Sequence, residues 1–334
     1  MLRAVVIAIM AAVGAARGCD EPTNTINSDC PTNTVVTNVP VGNQPSGLNV
    51  LPAVNRIYVA NQNDNTAMAI LGSTDAVFGA TLPVGTFPQG VAANTTTQRI
   101  FVANQGSNTV SVIDGAFHIP IGLPISVGSN PIGITAHSGL NRVYVTNSAS
   151  NTVSVIDGTS NTLMATIPVG QSPHGIGVNI NSNRVYVANR TDNTVTVIDG
   201  ATNALIGAPI PVGSAPTGIG VNPQTNLIYV ANNGANTVSV INGGTNSVVP
   251  PAIAVGSGPY RVGVNPSTNL IYVTNNLSNQ VSVINAANNN AICPAITVGV
   301  STASKPTDVA VLAQTSRIYV TVQADNLVAV IAGP

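Results

Sequence analysis

The 334-residue chain has only 6% charged residues and a formal net charge of −1, with 44% hydrophobic and 3% aromatic residues. Its 10 Lys and Arg residues are spread along the chain, which excludes a nucleic-acid binder that works by neutralising phosphates on a basic face. The 31 Gly and 23 Pro residues, together with Val, Ile and Ala as the main apolar types, are typical of a turn-rich all-β protein.

Residues 1–18 are predicted to be a signal peptide. A positive start is followed by an apolar run over residues 4–16 that is too short to span a bilayer and ends in small residues. We therefore expect an exported protein, periplasmic, secreted or at the cell surface, without a transmembrane span. Cys19 leaves a lipid anchor possible, although Arg17 is atypical of the sequence that directs lipidation. Residues 19–32 are interpreted as an N-terminal linker.

The remaining cysteines are Cys30 and Cys293, and no CxxC, CxxCH or Cys/His cluster is present. We therefore predict no metal site and no attached haem. In an oxidising compartment Cys30 and Cys293 are candidates for a disulfide if Cys19 is removed or lipidated. If Cys19 stays in the chain as a free thiol, pairings with it remain open.

A unit of about 43 residues repeats seven times over residues 33–334. Each unit carries a Val-Gly dipeptide that is followed by a Pro, and successive dipeptides are 42 or 43 residues apart. Each unit begins with a Gly-rich strand. Two strands with a residue pattern of period two follow, and then an irregular strand that tolerates Pro. This order predicts a propeller blade of four antiparallel strands, running from the centre to the edge.

The seventh unit lacks its fourth strand, and the missing strand is at the other end of the chain. Residues 33–42 align without gaps to residues 161–170, which form the fourth strand of an internal unit. The sequence therefore predicts an all-β, closed seven-bladed β-propeller whose last blade is completed by the N-terminal strand. A closed ring needs no capping repeats and removes most of the free sheet edges.

Two further patterns are interpreted as structural. Arg142 and Asp157 are fifteen residues apart, as are the equivalent residues of two other units, which predicts cross-strand salt bridges at a blade corner. The turns between the second and third strands carry Asn pairs such as Asn104 and Asn108. We expect these Asn residues to support left-handed turn geometry.

Residues 144–147 and 272–275 read YVTN, and the motifs NTVSVIDG and VGxxPxG accompany them. On these motifs the sequence resembles the YVTN-type β-propeller repeat family over residues 33–334. The resemblance implies the propeller fold and a ligand site around the central channel on one face. It implies no single function, because related propellers include lactonase-like hydrolases, lyases, a haem domain and binding proteins.

The architecture implied by the resemblance places the residue after each repeat Pro at the channel mouth. These residues are Ser46, Gln89, Ile132, His174, Thr217, Tyr260 and Thr307. The repeat pattern breaks in units six and seven, and we select six ligand-binding candidates from the mouth and these breaks. The candidates are Gln89, His174, Tyr260, Arg261, Lys305 and Asp308.

Three of these residues are also candidates for catalysis. His174 is the candidate base, Asp308 the group that orients it, and Arg261 the group that holds an anion. The alternative interpretation is that Arg261 and Asp308 form an ion pair that plugs the channel.

The sequence favours an exported binding or scaffold protein, with a protein or a neutral surface component as its partner and with no cofactor and no nucleic acid. One alternative is a lactonase-like hydrolase or lyase that uses the channel-mouth residues. Another is a self-assembling component of a surface layer or filament. The ligand and the question of catalysis stay open at this point.

Overall fold

The computed structural model describes residues 33–291 and 295–334. These residues form seven antiparallel sheets, which are the blades of a propeller. The innermost strand of each blade contacts that of the next blade, and the seventh contacts the first, so the ring is closed. The predicted fold is confirmed.

The strands are numbered in chain order, and the blades are numbered by their innermost strands. The innermost strands are β2 (Pro45–Leu51), β6 (Pro88–Asn94), β11 (Pro131–His137), β15 (Pro173–Asn179), β19 (Pro216–Asn222), β23 (Pro259–Asn265) and β28 (Pro306–Leu312). The second strands are β3 (Arg56–Asn61), β7 (Arg99–Asn104), β12 (Arg142–Asn147), β16 (Arg184–Asn189), β20 (Leu227–Asn232), β24 (Leu270–Asn275) and β29 (Arg317–Val322).

The third strands are β4 (Thr66–Leu71), β8 (Thr109–Asp114), β13 (Thr152–Asp157), β17 (Thr194–Asp199), β21 (Thr237–Asn242), β25 (Gln280–Asn285) and β30 (Leu327–Ala332). The outer strands are β5 (Ala76–Pro83), β9 (Ile119–Pro120) with β10 (Ile125–Ser126), β14 (Thr162–Pro168), β18 (Ile210–Pro211), β22 (Ser247–Ala254), β26 (Asn290–Ala291) with β27 (Ile296–Thr297), and β1 (Thr34–Pro40). Three short 3-10 turns, Pro52–Val54, Ala313–Thr315 and Gln323–Asp325, complete the described structure. No helix in the described ranges is both long and apolar enough to cross a membrane.

The N-terminal strand completes blade 7, as predicted. Strand β1 pairs antiparallel with β30, with Thr34 opposite Ala332 and Pro40 opposite Leu327. Val39 is buried in a cluster with apolar residues of blades 7 and 1. The two ends of the described chain therefore hold the same blade together.

The packing of the innermost strands explains their glycines. A Cβ atom on Gly47, Gly133 or Gly175 would lie only 2.2–2.3 Å from a backbone oxygen of the next blade. No real Cβ contact is that short, so these positions require glycine. In blades 6 and 7 the same position is occupied by Arg261 and Asp308, so both side chains start from the channel wall.

The apolar core consists of layers between adjacent blades. The second strands are buried on both faces, since Val and Ile point to one neighbouring blade and Tyr or Phe points to the other. Tyr144 of blade 3, for example, belongs to a buried cluster that includes Ile176 and Val185 of blade 4. Each blade is therefore a wedge that is stable only between its neighbours.

The predicted Arg–Asp salt bridges are wrong, although the predicted register is right. Arg99 is opposite Asp114. Its Nη1 instead donates to the backbone oxygens of Gly158 and Thr159 in the next blade, at 2.7 and 2.6 Å. Asp114 Oδ1 accepts hydrogen bonds from N–H groups of its own turn. The Arg side chains therefore connect adjacent blades.

The same contact recurs around the ring. Arg56, Arg142 and Arg184 also donate to backbone oxygens of the turn in the following blade. Arg317 continues the series with a 3.9 Å contact to Asp75 of blade 1, the one ion pair within residues 33–291 and 295–334. Arg56 makes this contact although Leu71 is opposite it, so the contact does not require an Asp at the blade corner.

The interpretation of the turn Asn residues is confirmed for one member of each pair and wrong for the other. Asn108 has a left-handed backbone, with φ of 56°. Asn104 is instead fully buried at the end of its strand, where its Nδ2 donates to Thr109 Oγ1 at 3.1 Å and Ser111 Oγ at 3.0 Å. The first Asn therefore ties the ends of two strands together.

The predictions made for the N-terminal region and the cysteines fall outside the described residues. They concern the signal peptide over 1–18, the linker over 19–32, the lipid anchor at Cys19 and the disulfide between Cys30 and Cys293.

Candidate functional site

One end of the propeller carries the loops that lead into the innermost strands and the turns between second and third strands. We call this end the upper face. It contains an open cavity of about 520 Å³, called the upper-face mouth, whose walls include Gln89, Gln105, His174, Arg190 and Tyr260. Below it lies the central channel, a cavity of about 300 Å³ lined by all seven innermost strands.

His174 lies at the wall of the mouth and is held on both ring nitrogens. Its Nδ1 is 2.9 Å from the backbone oxygen of Thr217, and its Nε2 is 3.4 Å from Tyr260 Oη. The Tyr260 ring stands edge-on to the imidazole, with 5.4 Å between centroids. Since only 5% of His174 is exposed, these contacts fix its orientation.

The surroundings of His174 also bear on its charge. Nδ1 lies between the Thr217 oxygen, which accepts hydrogen bonds, and Arg261 Nη1, which donates them, so the contacts fit either neutral tautomer. Arg261 Nη1 donates to the same Thr217 oxygen at 2.8 Å and lies 3.0 Å from His174 Nδ1. Burial, reinforced by the positive charges of Arg261 and Arg190, lowers the pKa of His174 to about 3. The imidazole is therefore neutral near pH 7.

Arg261 and Asp308 line the channel together but do not form the ion pair that the sequence suggested. Asp308 Oδ2 accepts from Leu48 N–H at 3.1 Å, and its Oδ1 accepts from Val309 N–H at 2.8 Å. Desolvation by the channel wall raises the pKa of Asp308, and the charge of Arg261 opposes this shift. The Arg261 guanidinium instead reaches toward His174 and lies 5.1 Å from the Tyr260 ring centroid.

The catalytic pairing of His174 with Asp308 is likewise not formed. The ring nitrogens of His174 contact Thr217, Tyr260 and Arg261, and the carboxylate of Asp308 is occupied by backbone N–H groups. A base needs an acceptor nitrogen that faces the substrate. Here both ring nitrogens already have protein partners, Nδ1 in Thr217 and Arg261 and Nε2 in Tyr260.

The structure separates the six predicted ligand-binding residues into three groups. Gln89, His174 and Tyr260 line the mouth. Arg261 and Asp308 line the channel below, and a small cavity of about 150 Å³ that also touches Gln89 and Tyr260 joins the two spaces. Lys305 is exposed on the upper face and lines none of these three cavities.

Three of the residues that follow a repeat Pro have a structural role instead of the predicted place at the mouth. The hydroxyls of Ser46, Thr217 and Thr307 donate to the backbone of the next blade, Ser46 to Pro88 O at 2.8 Å and Thr217 to Pro259 O at 3.1 Å. A short hydroxyl at this position closes the gap between two blades. Only a longer side chain extends beyond this gap into the mouth.

Arg190 and Gln105 are mouth residues that the sequence interpretation missed. Both occupy the position directly after the last residue of a second strand. The other units carry Gln, Ser or Asn there, so Arg190 is the one cation in this column of the repeat. The same comparison between units that singled out Arg261 would have found it.

No group of three or more His, Cys, Asp or Glu residues comes together in the part of the chain that the structure describes. His118 and His137 lie away from the mouth. His118 is within 2.8 Å of Ala80 O, and His137 contacts Asn183 Oδ1 at 2.9 Å.

Comparison with known proteins supports the fold and gives little about function. A family model described as YNCE-like beta-propeller matches residues 28–222. Hydrazine synthase of Kuenenia stuttgartiensis has a similar structure, with a TM-score of 0.77 and 17% identity, covering 96% of this chain and 99% of that one. At this identity the likeness concerns the fold alone. A search of curated proteins finds no significant match.

Proposed function

The chain belongs to the YNCE-like β-propeller family, and from this premise we propose that it is a binding protein whose ligand site is the upper-face mouth. The main support is the state of His174. It is neutral, buried and fixed by Thr217 and Tyr260, so it forms part of a rigid wall. A rigid polar cavity of about 520 Å³ has the size of a small-molecule site.

The hydrolase or lyase alternative has less support. It requires His174 to act as a base that Asp308 orients, and the two side chains have other partners. It also requires a proton acceptor near neutral pH, whereas the pKa of His174 is about 3.

The location and the partner class are part of the same proposal. The apolar run over residues 4–16 supports export to the periplasm, the cell surface or the medium. The outer surface, with 6% charged residues in the whole chain, suits a protein or a neutral surface component. The mouth is more positively charged than this neutral surface, because Arg190 lines it and Arg261 lies next to it, against His174.

The site is tested by filling the mouth. Thr191 is exposed and lines the mouth, so Thr191→Trp places a large ring there without removing any contact of His174. Thr202 is exposed in a turn at the opposite end of the same blade, and Thr202→Trp is the matched control. We expect small polar compounds that raise the Tm of the wild type to lose their effect in Thr191→Trp and to keep it in Thr202→Trp.

The measurement is a thermal-shift screen of small polar metabolites followed by calorimetric titration of the hits. Hits that bind both Trp variants equally well would rule out the mouth as the ligand site. Turnover of lactones that disappears in His174→Gln would support the hydrolase instead.

A further inference from the structure

We propose that the upper-face mouth binds a small organic oxyanion, a carboxylate or a phosphate group, between Arg190 and Arg261. This inference rests on the proposed function, because it names the ligand class of the same site. It is based on the positive charges of the two arginines and on the hydrogen-bond donors of the mouth that remain available to a ligand.

The two guanidinium groups are close to the same side chain. Arg261 Nη1 lies 3.0 Å from His174 Nδ1. Arg190 lies on the mouth wall beside His174, and its positive charge acts on that imidazole. No acidic side chain lines the mouth, and His174 is neutral, so the positive charge is not compensated there.

Neither guanidinium is neutralised elsewhere within the described ranges. The one ion pair there joins Arg317 and Asp75, on another side of the ring. Asp308 lines the channel with Arg261 but forms no ion pair with it, and its two oxygens accept hydrogen bonds from Leu48 and Val309. A pair of uncompensated cations beside a cavity attracts an anion and disfavours a cation.

The hydrogen-bond donors lead to the same ligand class. A guanidinium has five N–H donors in a planar fork, which matches the two oxygens of a carboxylate or phosphate. Arg261 uses only Nη1 in its hydrogen bond to Thr217, and the Arg190 guanidinium donates to no residue of the described chain. Gln89 donates to Gln105 Oε1 at 2.8 Å, so the amide nitrogen of Gln105 stays available to a ligand.

The cavity limits the size of the ligand. A volume of about 520 Å³ takes a molecule of metabolite size. The rest of its wall is neutral and includes Tyr260, Asn130 and the apolar Ile132, which suits a short organic body attached to the anionic group.

The test is calorimetric titration with citrate, succinate and inorganic phosphate, and with glucose as an uncharged probe. Arg190→Gln and Arg261→Gln each remove one charge. Lys305→Gln removes the same charge from an exposed position outside the mouth. We expect at least one anion to bind wild type, each Arg variant to weaken binding about 10- to 100-fold, and Lys305→Gln to weaken it less than about 2-fold.

The arms of the experiment separate the sources of the anion. Binding of phosphate without citrate or succinate identifies a phosphate ligand, and the reverse identifies a carboxylate ligand. The Arg190 side chain is exposed, and the Arg190 backbone N–H, which donates to Ser172, is kept in the variant, so Arg190→Gln keeps the test valid even if Arg261→Gln unfolds the protein.

Two results would overturn the inference. If anions bind equally to wild type and to Arg190→Gln, or bind to neither, the oxyanion site is wrong. If an uncharged compound binds the mouth, loses its site in Thr191→Trp and is unaffected by Arg190→Gln, the proposed function stands without the oxyanion. If no compound of any charge responds to Thr191→Trp, the proposed function fails as well.

Discussion

At the scale of single residues, His174 shows how a neighbouring blade determines chemistry. Its ring nitrogens contact Thr217 and Tyr260, and both partners come from other blades. The sequence pointed to His174 because it follows a repeat Pro. It could not show that the ring would be buried and neutral, because this depends on Tyr260 and Arg261 reaching it from two blades away.

The ion pair suggested for Arg261 and Asp308 failed for a similar reason, and Arg190 was overlooked. The sequence places Arg261 and Asp308 at the same position of consecutive units, and opposite charges so close suggest a pair. Asp308 instead accepts backbone N–H groups of Leu48 and Val309 that no repeat comparison reveals. Arg190 was missed because only the loop after each Pro was compared between units.

The burial of neutral His174 predicts a loss of stability in acid. The folded state has a pKa of about 3 at this site, while the unfolded chain takes up the proton near pH 6.5. The unfolded state therefore binds more protons as pH falls through this window, and stability falls with it. We expect His174 to account for about 2 kcal/mol of lost unfolding free energy between pH 7 and pH 5.

Urea unfolding of the wild type and His174→Gln at the two pH values isolates this contribution. Glutamine can still donate to Thr217, so the variant keeps the main contact. Because the other groups titrate equally in both proteins, the difference between the pH dependences of the two proteins gives the contribution of His174. Identical pH dependences would show that His174 has the same pKa in the folded and the unfolded protein and would contradict a lowered pKa.

At the scale of elements, the structure shows hydrogen bonds between blades where the sequence predicted salt bridges within blades. Arg142 Nη1 donates to backbone oxygens of Gly200 and Ala201. Asp157 caps its own turn through the N–H groups of Thr159 and Ser160. The covariation of Arg and Asp along the repeats gave the right register, but register alone does not fix the direction of a long side chain.

A double-mutant cycle distinguishes the two accounts. We expect Arg142→Met to lower the unfolding free energy by about 0.5–1.5 kcal/mol, because it removes the charged donor from the oxygens of Gly200 and Ala201, while Tyr144 still donates to Gly200. Asp157→Asn should cost less than about 1 kcal/mol, since Asn also caps turns. The coupling energy between the two substitutions, measured by urea denaturation, should stay below about 0.5 kcal/mol. A coupling energy of about 1 kcal/mol or more would show that Arg142 and Asp157 do form a salt bridge.

At the scale of the whole molecule, the sequence predicted nearly everything about the ring. The period of about 43 residues, the Gly-rich innermost strand and the gapless match of residues 33–42 to 161–170 gave seven blades and their closure. These features predict the ring because the same residue pattern forms the same strands in every unit. The last blade lacks one strand and the N-terminal strand lacks a blade, so only closure of the ring pairs both. The mouth was predicted only in part because it is formed where the units differ.

Closure also makes a prediction about the N-terminal strand. Deleting residues 33–40 removes the partner of β30 and uncovers Val328 and Val330, which pack with Val39. We expect a lower Tm and concentration-dependent association through the free edge, measured by calorimetry and light scattering. The substitution Val36→Thr, at an exposed position of the same strand, is the control and should leave both unchanged. A monomeric deletion variant with the wild-type Tm would contradict closure by this strand.

The most direct test of the ligand site is a crystal structure of the protein soaked with the tightest-binding anion from the titrations. We expect one bound anion in the upper-face mouth, hydrogen-bonded to Arg190 and to Arg261 beside His174. A saturated crystal in which the anion occupies another surface while the mouth holds only water would contradict it.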